Sequence, residues 1–79
     1  MIQVFLKDTE PGREYTVAGI WLGTKVTHRL EALGMTRGTK VTIVSKKSSG
    51  TMVVKVRGTR FALGAGFAQG ITVEGGKYD

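Results

Sequence analysis

Apolar positions along this chain recur mostly with a two-residue period, in short runs broken by glycine-centred turns; one longer stretch keeps a helical period. After the turn signal Pro11-Gly12, residues 15–20 alternate and read as a strand. Val41 and Ile43 share one side of a strand over 41–45. Met52, Val54 and Val56 share one face of a strand over 52–57, leaving Val53, Lys55 and Arg57 on the other. Gly58-Thr59 has the glycine-first order of a type II′ turn, so residues 60–63 return as a hairpin partner with Phe61 and Leu63 inward. Residues 71–74 form a last strand, and residues 75–79 read as a frayed, flexible tail. Val4-Phe5-Leu6 is a short apolar run, ended by the polar and turn-forming residues 7–12.

The helical stretch places Leu22, Val26, Leu30 and Leu33 on one face. Its start is poorly marked: Thr24 and Thr27 can both cap, but neither is followed three residues on by Glu or Gln. Its end is clear. Gly34 stands where a left-handed residue closes a helix, and Met35 is set to pack back on Leu30. The outer face carries Lys25, His28 and Arg29. Residues 64–70 read either as one helical turn or as a loop, because interior glycines cost a helix roughly 1 kcal/mol each against alanine. The expected fold class is therefore mainly β: about five strands and one α-helix, with a short second helical turn left open. Five short strands bury one face by curling into a small barrel, which also removes open edges. One domain is expected over residues 1–79, with its core at about 12–74; no internal repeat or linker interrupts it.

Composition narrows the function. A domain of 79 residues buries only about 60% of the surface its unfolded chain exposes, which favours a shallow surface site over a deep substrate cavity. The absence of cysteine excludes disulfides, thiolate metal sites and a cysteine nucleophile, and favours a cytoplasmic location. The N-terminus lacks the pattern of a signal peptide, and no apolar run approaches the ~20 residues of a membrane helix. The formal net charge of +6 suits an acidic partner, whether nucleic acid, phospholipid surface or acidic protein face; solubility alone also accounts for it.

The chemistry-bearing residues point away from catalysis. Six carboxylates are scattered without the spacing of an acid–base pair. His28 is the sole histidine, and with Glu31 three residues on it falls short of the donor set that zinc or ferrous iron requires, so neither a metal site nor a cofactor is expected. The glycines at 64, 66 and 70 miss the dinucleotide-binding spacing by one residue and lack its strand–helix–strand setting. Lys55, Arg57 and Arg60 point outward on adjacent hairpin strands, and Lys46 and Lys47 occupy the neighbouring loop, so a positive patch is expected. No aromatic residue interleaves with it, which weakens the alternative of a small basic barrel binding nucleic acid. Phe61 and Phe67 are assigned to the core; Trp21 is either exposed or a lid over the barrel end.

Two motifs then occur in order. Arg29-Leu30-Glu31-Ala32-Leu33-Gly34-Met35 runs on through Gly38 to Val41, and Val56-Arg57-Gly58-Thr59-Arg60-Phe61-Ala62-Leu63 follows. Together they resemble the FeoA family, ferrous-iron transport protein A, with R-L-x-x-L-G-[ML]-x-x-G-x-x-V and V-R-G-x-R-x-A-L at matching positions. The resemblance extends loosely from about Gly12 to Glu74. It implies an SH3-like barrel, a cytoplasmic location and an accessory role in ferrous-iron uptake, exerted by contact with FeoB, a membrane transporter with a cytoplasmic G-protein domain. Direct membrane insertion is not implied, and weak self-association stays open. The same domain type closes metal-dependent transcription regulators, but no DNA-reading helix-turn-helix precedes it here. The partner surface expected on this basis is Arg29, Met35, Arg37, Arg57 and Arg60. Two departures bear on that surface and leave the fold unaffected: Gly64-Ala65-Gly66 replaces a polar helix-forming segment, and Ile20-Trp21-Leu22-Gly23 replaces a plainer glycine-rich loop.

Overall fold

A computed structural model describes the backbone of residues 2–78 and the side chains of residues 2–75. Six antiparallel strands form one sheet: β1 Gln3–Phe5, β2 Arg13–Ile20, β3 Lys40–Lys46, β4 Met52–Val56, β5 Thr59–Leu63 and β6 Ile71–Tyr78. Their order across the sheet is β1-β6-β2-β3-β4-β5. Two helices interrupt the strands, α1 Thr24–Ala32 and the single turn α2 Ala65–Ala68; a 3-10 turn at Leu6–Asp8 follows β1.

The predicted alternation is what the core is built from. Val41 and Ile43 of β3, and Met52, Val54 and Val56 of β4, are all fully buried, as are Val17 of β2 and Ile71 and Val73 of β6. Each such side chain stabilises the fold by about 1.5–3 kcal/mol relative to exposure. Leu6, Leu30, Met35 and Ala68 close the core from outside the sheet. Leu22 and Val26 pack against it from the helix side, and Gly70 leaves room for Leu22: a Cβ there would collide with the leucine side chain.

The end of α1 follows its sequence signal. Gly34 adopts φ +98°, the Met35 N–H donates to the Leu30 carbonyl at 2.9 Å, and the Gly34 N–H donates to the Glu31 carbonyl at 2.9 Å. These are the two bonds of a Schellman motif, and buried Met35 supplies its apolar contact. The helix starts later than its apolar period. Leu22 precedes it, Gly23 is its N-cap, and Thr27 spends its hydroxyl on the Leu22 carbonyl at 3.1 Å.

Several expectations need correction. The apolar run at 4–6 opens with a sixth strand, β1, pairing with β6, and then turns Leu6 into the core. The glycine-rich segment at 64–70, open between a helical turn and a loop, needs no correction: it takes the helical alternative, α2. In place of a frayed tail, β6 continues to Tyr78 beside Arg13 and Glu14 of β2; Gly75, at φ +102°, sits at the register shift that keeps the two strands paired. Asp79 lies outside the described residues. The hairpin turn is Arg57-Gly58 and not Gly58-Thr59, since Val56 pairs with Thr59. Both turn residues have positive φ, 52° and 82°, the geometry of type I′. Among the described residues β1 and β5 do not pair, so the curled sheet keeps two open edges.

Candidate functional site

Of the residues singled out in the sequence, Lys55, Arg57 and Arg60 lie on the β4–β5 hairpin and Arg29 lies near the end of α1. Lys55 and Arg60 stand directly opposite each other across the hairpin. A two-residue turn makes the flanking pair Val56–Thr59 hydrogen-bonded, so Lys55–Arg60 is a non-hydrogen-bonded pair, the kind that brings side chains closest. Like charges at such a position oppose folding by a few tenths of a kcal/mol up to about 1 kcal/mol. Arg57 adds a second local cost. It is the one non-glycine residue in the left-handed region among the described residues, a conformation that costs an ordinary side chain about 1–2 kcal/mol. Its side chain extends over the end of α1, close enough that a Cβ on Gly34 would lie 3.3 Å from the Arg57 Cδ. Lys55, Arg57 and Arg60 are all exposed, and among the described residues none forms an ion pair or a side-chain hydrogen bond.

Two hollows flank this hairpin. On the outer sheet face a broad concavity of about 560 Å³ is lined by Lys55, Arg57 and Arg60 with Lys40, Thr42 and Glu14. Its carboxylate, Glu14, is ion-paired with Lys40 at 3.9 Å and with none of the hairpin cations. On the other side, a groove of about 190 Å³ runs between α1 and β5. Val26, Leu33, Phe61 and Phe67 give it an apolar floor and Arg29 stands on its wall. Leu33 and Phe67 remain 45% and 43% exposed, large apolar surface that the core does not absorb.

The expected partner surface is therefore divided. Arg29 lies on the groove, and Arg57 and Arg60 line the sheet-face hollow. Met35 is fully buried and is removed from the surface by the same Schellman contact that makes it legible in the sequence. Arg37 is exposed but lines a separate hollow with Trp21 and Gln3. Trp21 is not a lid. Its ring lies over Gly19 and is 73% exposed, with Nε1 donating to Thr72 Oγ1 at 3.3 Å. Lys46 does not join the positive patch either, because its ammonium donates to the carbonyls of Lys7 (2.8 Å) and Thr9 (3.0 Å). His28 is exposed on α1, and no group of three or more His, Cys, Asp or Glu gathers among the described residues.

Leu33 and Phe67 are the site residues that the sequence reading assigned elsewhere. The helical period points Leu33 inward, and Phe67 is assigned to the core as a large aromatic. In the fold, Ala68 takes the core position of α2 and, a helical step of about 100° away, Phe67 reaches the rim. The available signal was an excess: two large apolar residues beside small-residue turns, in a domain whose core was already filled by strand positions.

Comparison with known proteins agrees with this architecture. The family model for the FeoA domain matches residues 4–75. An iron uptake regulatory protein (FeoA) of known crystal structure superposes with a TM-score of 0.84 at 29% identity, covering 92% of this chain and 97% of that one. A FeoA-like protein from Clostridium acetobutylicum gives 0.80 at 28% identity, covering 94% of this chain and 87% of that one. Stenotrophomonas maltophilia FeoA, a prokaryotic SH3 domain protein solved in complex with zinc, gives 0.77 at 28% identity over 90% of this chain and 89% of that one. No curated protein matches the chain significantly. No helix among the described residues is long and apolar enough to cross a membrane. A six-stranded SH3-like sheet, the family's paired motifs at the helix stop and the hairpin, and a domain match over most of the length lead to one assignment: the chain belongs to the FeoA family of proteins associated with ferrous-iron transport.

Proposed function

We propose that this chain is a cytoplasmic, non-enzymatic accessory protein of ferrous-iron uptake that docks on the cytoplasmic part of a FeoB-like transporter and modulates it. The observation that carries this reading is the pairing of an exposed apolar groove with cations on the same hairpin and helix end that have no ion-pair partner among the described residues. A buried apolar contact supplies affinity, and fixed positive charge supplies on-rate and orientation toward an acidic face. Family membership supports the transport context, and the Stenotrophomonas maltophilia relative has itself been put forward as a ferrous iron transport activating factor. Nucleic acid is the weaker reading. No aromatic residue lines the basic sheet-face hollow, while Trp21 stands beside Arg37 and Phe67 in the groove, so no stacking platform accompanies the phosphate-binding charges among the described residues.

The test is titration calorimetry of the purified chain against the transporter's cytoplasmic domain, at low and high salt, with and without guanine nucleotide. Saturable binding that weakens moderately with salt is expected. No heat and no co-elution under any condition would remove direct docking. Binding to nucleic acid with a steep salt dependence, abolished by reversing Arg57 and Arg60, would transfer the working surface to the alternative reading.

A further inference from the structure

Strand β5 meets the apolar groove edge-on. Phe61, Ala62 and Leu63 all line it, although consecutive side chains of a strand point to opposite faces, which fits a groove that runs along the edge of the sheet. β5 pairs with β4 alone among the described residues. The alternation that starts at the hydrogen-bonded pair Val56–Thr59 turns the backbone groups of Thr59, Phe61 and Leu63 toward β4. Those of Arg60 and Ala62 therefore point out over the groove, and neither residue has another backbone partner among the described residues.

We propose that this edge is a strand-addition site: an extended, acidic segment of the transport partner pairs with β5 through the outward N–H and C=O groups of Arg60 and Ala62. The proposal rests on the docking function above and specifies its mode. An added strand inherits the two-residue alternation of β5. One set of its side chains falls on the groove side, over Val26, Leu33, Phe61 and Phe67. The other set falls on the outer side, where Lys55 and Arg60 stand side by side without an acidic partner among the described residues. The segment that fits therefore alternates apolar with acidic residues. Its carboxylates relieve the like-charge pair, and Arg29 on the groove wall meets acid at the segment's flank. No carboxylate lines the groove among the described residues, so charge complementarity selects an acidic occupant over a basic one. While the site is empty, the Arg60 side chain guards the edge against pairing with a second copy, as charges on edge strands commonly do.

The test uses the isotope-labelled full chain with two kinds of titrant. One is the transporter's cytoplasmic domain. The other is a short peptide alternating leucine with glutamate, beside an isomer that holds the leucines and glutamates in separate blocks. The readouts are affinity and amide hydrogen exchange at Arg60 and Ala62. Expected are tighter binding of the alternating peptide than of its isomer, and exchange at both amides slowed about tenfold or more at saturation. Ala62→Pro removes one outward N–H and none that β4 uses, so it should bind about tenfold more weakly with its unfolding transition retained. If the domain binds while exchange at Arg60 and Ala62 is unchanged in the wild type, strand addition is overturned and the docking function stands. If the domain fails to bind but the alternating peptide protects both amides, the edge site stands and the transporter reading falls. If neither protects them, the proposal is overturned whatever becomes of Ala62→Pro.

Discussion

The two faces of the β4–β5 hairpin are made of alternating residues of the same two strands and obey opposite rules. On the inner face Met52, Val54 and Val56 are fully buried and Leu63 nearly so. Every position there follows the strand period, and every side chain adds to stability. On the outer face Lys55 opposes Arg60, and the turn forces Arg57 into a left-handed conformation that asparagine or glycine holds more easily. Neither feature helps the chain fold. Both cluster at one corner of the molecule, next to an apolar groove that the core leaves open. Local costs confined to one face are a signature of a surface kept for a partner.

Breaking the inner face should have the largest effect. Ile43→Ala removes a fully buried side chain from the strand beside β4 and should destabilise by about 2–5 kcal/mol in urea unfolding. A loss below 1 kcal/mol would mean that the core tolerates a void there and that the contrast between faces is weaker than drawn. Gly70→Ala comes next. The added Cβ meets Leu22, and overpacking of that kind costs about 1–3 kcal/mol. The double variant Gly70→Ala, Leu22→Ala should lose less than the two single losses combined, because the collision is gone. Gly34→Ala should cost about 1–2 kcal/mol by forcing alanine to φ +98°, with added crowding from Val56 and Arg57. It sits where the two faces meet, so its amide spectrum should shift at the hairpin as well as at the helix end.

The inner face was readable in the sequence for a physical reason. Strand alternation and the glycine that stops α1 are local signals, and the residues that obey them, such as Val54, Ile43 and Gly34, occupy the places their spacing predicts. What escaped depends on pairing register and on contacts between distant segments. The type I′ turn follows from Val56 pairing with Thr59, a register that the dipeptide Gly58-Thr59 does not reveal. The groove exists because α1 and α2 flank the free edge of β5, and no window of sequence contains that arrangement. Lys46 looked like its neighbours in charge, yet carbonyls almost forty positions away hold its ammonium. Of the expected partner residues, Arg29, Arg57 and Arg60 reach the convergent corner, because an exposed charge on a strand or helix is a local property. Met35 does not, because one side chain cannot both close a Schellman motif and face a partner.

The smallest changes in stability sharpen the comparison most, since they should run opposite to function. Arg57→Asn keeps a residue suited to positive φ and removes the charge, so it should stabilise the hairpin by up to about 1 kcal/mol while weakening partner binding. Lys55→Glu converts a like-charge cross-strand pair into an opposite-charge one and should stabilise by about 0.2–1 kcal/mol, measured as a raised urea midpoint with an unchanged slope. The new carboxylate then competes with the partner's acids for Arg60, so affinity for the transporter domain should fall, chiefly through a slower association rate at low salt. A Lys55→Glu variant that is more stable and binds as well as the wild type would show that the charge pair is an indifferent surface feature. A variant that is more stable and binds less identifies the outer face as one where stability has been given up for recognition.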